Sequence, residues 1–205
     1  MIVRTSLLVF AVTLLSFAAQ PSPVRIRLYN LSGVSASDLD QARAEVSQIY
    51  SATGITFQWE EGDPEAAEAR RVDFSARRSA ETRTTRPAVI VARIVEKAPP
   101  APKGPSLGLA LPFGRTGVHV TMYKDNIAAV SQSQHVSFAK VLGHALAHEI
   151  GHMLMTDLGH SPAGLMRATW GPAEYRSMVT TGLRFAPREV QELRSPSPVN
   201  ARLRK

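Results

Sequence analysis

The sequence contains no cysteine. Disulfide scaffolds, thiolate zinc sites, iron–sulfur clusters, cysteine nucleophiles and cysteine-linked lipids are therefore excluded. Any metal must be held by histidine, aspartate or glutamate. Acidic residues are in deficit, with 17 Asp and Glu against 24 Lys and Arg, for a net charge of +7. That excess is localised: Arg4 carries one charge, and Arg194, Arg202, Arg204 and Lys205 carry four. The body between them is close to neutral, so no specific nucleic-acid partner is implied. Long apolar runs are scarce too. The one that stands out, Ser6 to Ala19, falls short of the roughly 20 residues a membrane span needs. What is abundant is ordinary core material: 44% of the 205 residues are hydrophobic, too many for a wholly disordered chain.

The apolar run follows a basic residue, Arg4, and ends in small residues at Ala18-Ala19. That order is the plan of a secretory signal peptide, assigned to residues 1–19. The mature chain is expected to be exported, to the periplasm or outside the cell, with no membrane span and as a monomer.

Past the leader, Val24 to Tyr29 alternates apolar and polar residues as a half-buried strand does. Ser37 can cap a helix whose apolar stripe is Leu39, Ala42, Val46, Ile49 and Tyr50. Gly54 stops it, and Ile55 to Trp59 returns as a second strand. Strand, helix, strand implies a right-handed crossover and parallel pairing. Residues 60–87 read as a solvated, charged stretch, with room for a short strand at Val72 to Phe74. Further strands are expected at Ala88–Val95, Leu107–Leu111 and Val118–Tyr123. A helix from Ser137 through Met153 and a closing helix over Phe185–Leu193 complete an α+β fold. It is a mixed, twisted sheet backed by a helix, with a second helix bearing the site and a small helical C-terminal subdomain. The corresponding units are residues 20–154, 155–193 and a basic flexible tail at 194–205.

The chemistry is concentrated in His148-Glu149-Ile150-Gly151-His152. Two histidines four apart on a helix lie one turn above the other, so both imidazoles reach one ion. Glu149 stands about 100° around from His148, close enough to take a proton from a water at that ion. His160 follows the helix as a candidate third ligand, and Ser161 to Met166 forms a turn that delivers a methionine. Three protein ligands with one open position suit a catalytic zinc. Imidazole donors favour zinc over calcium or magnesium. Glu174 and Asp157 stand as alternative third ligands. His144 shares a face with His148 and is expected to be a satisfied structural residue. His119, His135 and Tyr175 are assigned to no site.

At this point the chain resembles the metzincin clan of zinc peptidases, whose pattern is His-Glu-x-x-His-x-x-Gly-x-x-His followed by a methionine turn. His148, Glu149, His152, His160 and Met166 match those elements in order. Seven residues separate His152 from His160 where the clan has five, and Met155 stands where the clan has glycine. The difference reads as a two-residue insertion, with Gly159 giving the backbone its freedom beside His160. The resemblance implies a zincin-like fold, Zn2+ as cofactor and an extended polypeptide as substrate. It also implies that Val118–Tyr123 forms the upper edge of the cleft, where substrate would add as a strand. A non-catalytic zinc-binding module and a zinc amide hydrolase acting on cell-wall peptide are the other classes the residues allow.

Overall fold

The computed structural model describes residues 22–63, 89–100, 106–114, 117–155 and 159–195. The leader at 1–19, the short strand at Val72–Phe74 and most of the basic tail lie outside the described residues, as does Asp157. In chain order the elements are β1 (Val24–Asn30), α1 (Ala36–Tyr50), a 3-10 turn (Ser51–Thr53), β2 (Phe57–Glu61) and β3 (Ile90–Val95). There follow β4 (Gly108–Gly114), β5 (Gly117–Tyr123), α2 (Lys124–Gln134), α3 (Phe138–Leu154), α4 (Pro172–Thr180) and α5 (Pro187–Arg194).

The five strands form one mixed sheet in the order β2-β1-β3-β5-β4. β1 pairs in parallel with both β2 and β3, β3 pairs in parallel with β5, and β4 lies antiparallel to β5. The parallel β1–β2 pairing is the one that the strand–helix–strand pattern implied. The cleft edge is placed differently. β5 is internal, because β4 folds back antiparallel and occupies its free side, so β4 is the edge strand.

Alternation decides which side of the sheet is core. Val24, Ile26, Leu28, Ile90, Ala92, Ile94, Val120 and Met122 are buried and share one cluster with the stripes of α1 and α3. Each fully buried aliphatic side chain of this kind contributes about 1.5–3 kcal/mol. The α1 stripe is the expected one, Leu39, Ala42, Val46, Ile49 and Tyr50. Its cap is Ser35 rather than Ser37: the Ser35 hydroxyl accepts from the Asp38 N–H at 3.1 Å and donates to the Asp38 carboxylate at 2.7 Å.

Two helices, α2 and α4, stand where no helix was expected. Ile127 is the buried residue of α2, so α2 carries no apolar stripe to reveal it. The α3 helix is also more deeply set than a two-faced helix would be. From Ala139 to Leu154 every residue is buried except Lys140 and Glu149. It can sink this far because it meets α1 at Gly143, where an added Cβ would stand 2.9 Å from the Ala42 carbonyl oxygen. Across the same contact the Tyr50 hydroxyl donates to the Ala147 carbonyl at 2.9 Å, and Lys140 pairs with Glu45 at 2.6 Å.

Candidate metal centre

His148 and His152 are presented by the last two turns of α3, which Ser137 caps by accepting from the Lys140 N–H. The helix ends at Met155, whose backbone is extended (φ −92°, ψ 153°), without a glycine. After residues 156–158, which are not described, the chain returns through His160 into a tight turn. The Ser161 N–H donates to the Met166 carbonyl at 2.8 Å, and Arg167 N–H to the Gly164 carbonyl at 3.2 Å. Within this turn Gly164 is left-handed (φ +79°). A Cβ at Gly164 would also lie 2.9 Å from the Arg184 carbonyl oxygen, so the turn is seated against that strand of chain.

The three histidines converge. The Nε2 atom of His152 lies 3.1 Å from that of His148 and 3.3 Å from that of His160. The potential ligand atoms of all three lie within 4.8 Å of one another. Two nitrogens bound to one zinc at about 2.0–2.1 Å, at the tetrahedral angle, are roughly 3.3 Å apart. The spacing around His152 therefore matches what the donor set would need.

Orientation is fixed from behind. The Nδ1–H of His148 donates to the Leu165 carbonyl at 2.8 Å, which leaves the Nε2 lone pair facing the other rings. The same carbonyl accepts from the Trp170 indole N–H at 3.1 Å, and the Trp170 ring stands edge-on to His148 at 5.7 Å. Burial pushes both His148 and His152 down to about 4, which keeps them neutral and able to bind a cation. His160 is exposed at the mouth.

Glu149 faces the same cleft, a cavity of about 380 Å³ lined by Ser106, Gly108, Leu109, Ala110, Glu149, Ala168 and the three histidines. Burial pushes its carboxyl up to about 7. Gly108 on β4 makes this approach possible, since a Cβ there would be 3.0 Å from the Glu149 Cγ and 2.9 Å from Met122. No residue pattern around Gly108 announced this role, because it exists only once β4 lies over α3. The orienting Leu165 carbonyl and Trp170 indole were equally invisible, being a backbone group and a lone aromatic.

Of the alternatives, Glu174 is turned elsewhere. One of its carboxylate oxygens accepts from the Gly171 N–H at 2.8 Å, the other from Arg167 at 2.6 Å, which caps α4. Asp157 lies outside the described residues. His144 is fully buried but not in the centre: its Nδ1–H donates to the Lys140 carbonyl at 2.8 Å, while its Nε2 has no hydrogen-bond partner among the described residues. Its ring lines a separate small cavity with Glu45, Lys140 and Arg184. It is thus only half satisfied, against the expectation. Tyr175 is buried against Trp170, with ring centroids 6.2 Å apart. Met166 is also buried, beneath Gly151, where a Cβ would stand 2.8 Å from its sulfur.

The chain is thus a mixed sheet-and-helix protein with a three-histidine centre able to hold a metal ion. No family model matches it, and no curated protein matches its sequence. Among solved structures it is similar to archaemetzincin from Methanopyrus kandleri, at 18% sequence identity, over 83% of this chain and 93% of that one, with a TM-score of 0.48.

Proposed function

We propose that this chain is an exported zinc-dependent metalloendopeptidase of metzincin type, with His148, His152 and His160 as metal ligands and Glu149 as general base. One observation carries the reading: three imidazoles converge beside a desolvated carboxylate in an open cleft. Zinc bound there would polarise a peptide carbonyl and lower the pKa of water toward ~7. Glu149, whose carboxyl is desolvated at the cleft, would accept the proton from that water and return it to the leaving amine. Leu165 and Trp170 hold His148 in the tautomer that offers Nε2. The Met166 side chain supports α3 from below at Gly151.

Substrate recognition falls to β4. It is the sheet edge, and its residues Gly108, Leu109 and Ala110 line the cleft. An extended peptide would pair with that edge through its backbone, a sequence-tolerant mode. Leu109 and Leu111 are 46% and 48% exposed and offer apolar contact beside it.

The test is incubation of the zinc-loaded protein with a peptide library read by mass spectrometry. Cleavage that disappears with EDTA and in Glu149→Gln supports the reading; a zinc-loaded wild type that cuts nothing overturns it. Export is tested separately by N-terminal sequencing of protein recovered outside the cytoplasm, which should begin near residue 20.

A further inference from the structure

The third ligand is the weakest-placed of the three, since it stands on an exposed turn rather than on α3. What holds that turn is visible one residue further on. The Ser161 hydroxyl donates to one carboxylate oxygen of Glu189. The other oxygen accepts from the Ala186 N–H at 2.7 Å, at the start of α5. Glu189 is only 7% exposed. A carboxylate that served α5 alone, as an N-terminal cap, could do so from the surface. Burying it costs solvation that only good hydrogen bonds return. The second bond therefore needs a reason, and its recipient is the residue bonded to His160.

The surroundings agree. Ser161 also donates its N–H to the Met166 carbonyl and bridges to Arg167, so it joins the His160 end of the turn to the methionine end. Leu165, within the same turn, donates to Arg184 and accepts from His148. The turn is thus pinned at both ends, to Arg184 by backbone and to α5 by the Ser161–Glu189 contact.

We propose that Glu189 is a positioning residue for the metal centre: acting through the Ser161 hydroxyl, it sets where His160 stands relative to His148 and His152. The proposal rests on the reading of His160 as third ligand. It makes α5 a working part of the site rather than a closing helix.

The experiment measures zinc affinity by competition with a chromogenic chelator, and the visible spectrum of the cobalt-substituted protein, in wild type and variants. Ser161→Ala should weaken zinc binding about tenfold and alter the cobalt spectrum, while the melting temperature of the metal-free protein barely moves. Ser161→Thr, which keeps the hydroxyl, should restore both. Glu189→Ala should weaken binding at least as much, and the double variant should be no worse than Glu189→Ala alone, because the two act through one contact. Unchanged zinc affinity in Ser161→Ala, or a drop in metal-free stability with no change in affinity, would overturn the proposal. His160→Ala separates the two levels. If it leaves zinc affinity intact, the ligand assignment itself fails; if it lowers affinity while Ser161→Ala does not, only the positioning role fails.

Discussion

Gly143→Ala is a substitution on which helix propensity and packing disagree. Position 143 is inside α3, and alanine in a helix interior is favoured over glycine by about 1 kcal/mol. On propensity alone the variant should melt higher. The geometry says otherwise. The new Cβ would stand 2.6 Å from the Glu45 Cβ, 2.9 Å from the Ala42 carbonyl oxygen and 3.3 Å from the Ala42 Cα. Carbon atoms in contact normally sit about 3.5–4.0 Å apart, so α1 and α3 must separate by roughly 1 Å. None of the obstructing atoms is a side-chain tip that can swing aside. Overpacking of this kind costs about 1–3 kcal/mol. The same separation strains the Tyr50–Ala147 hydrogen bond and the Lys140–Glu45 pair. Set against the propensity gain, the net loss is roughly 0–2 kcal/mol, a fall in Tm of up to about 6 °C for a domain of this size. Calorimetry on the metal-free protein, backed by urea unfolding with an unchanged slope, measures it. A Tm that rises would refute the claim that the backbones touch at this point. Because Ala147 precedes His148, weakened zinc binding should accompany the loss.

Other outcomes follow from the same geometry. Gly151→Ala meets the flexible end of Met166 rather than backbone, so its effect on stability should stay within about 1 kcal/mol while the methionine is displaced; a large loss in Tm would contradict this. The metal-free protein should lose stability as pH falls from 6.5 toward 4. The unfolded chain takes up protons on His148 and His152 near their ordinary 6.5, and the folded chain only near 4. Glu149 works in the opposite sense, since folding raises its carboxyl from 4.5 to about 7 and so favours the folded state in acid. Glu149→Gln removes that opposing contribution, so its stability should fall more steeply than wild type between pH 7 and 4.5, by roughly 2–3 kcal/mol; parallel curves in denaturant would refute it. Leu109→Glu on the β4 edge should raise KM for extended peptides severalfold with zinc affinity unchanged, as steady-state kinetics and chelator competition would show.

The parts of this structure that could be read in advance were those with local periodicity. Alternation gave β1, short apolar segments marked β2 and β3, and the three-and-four spacing of Leu39 to Tyr50 gave α1. The His148–His152 interval placed two imidazoles on one turn. Spatial order is not periodic, and there the reading went astray. Nothing in Val118–Tyr123 tells that another strand covers its edge. The left-handed Gly164 went unremarked, because its role arises only where the turn runs against the Arg184 carbonyl. Helix α2 was missed because it buries little more than Ile127 and its N-cap residue, Tyr123, has no side-chain capping bond. The environment of His144 could not be foreseen, since the cavity it lines is made from separate elements and its Nε2 has no partner among the described residues.

The longer connection between His152 and His160 has a thermodynamic side. Closing a loop costs chain entropy that grows only with the logarithm of its length. Going from five intervening residues to seven adds about 0.3 kcal/mol on that scaling. Structural zinc sites return on the order of 10 kcal/mol or more, so two residues more or less in this interval are nearly silent in free energy. The spacing is free to drift; the anchors are not. Ser161 on Met166 and Leu165 on Arg184 fix where the returning chain lands. Insertions before His160 should therefore be tolerated far better than any change that unseats the turn after it.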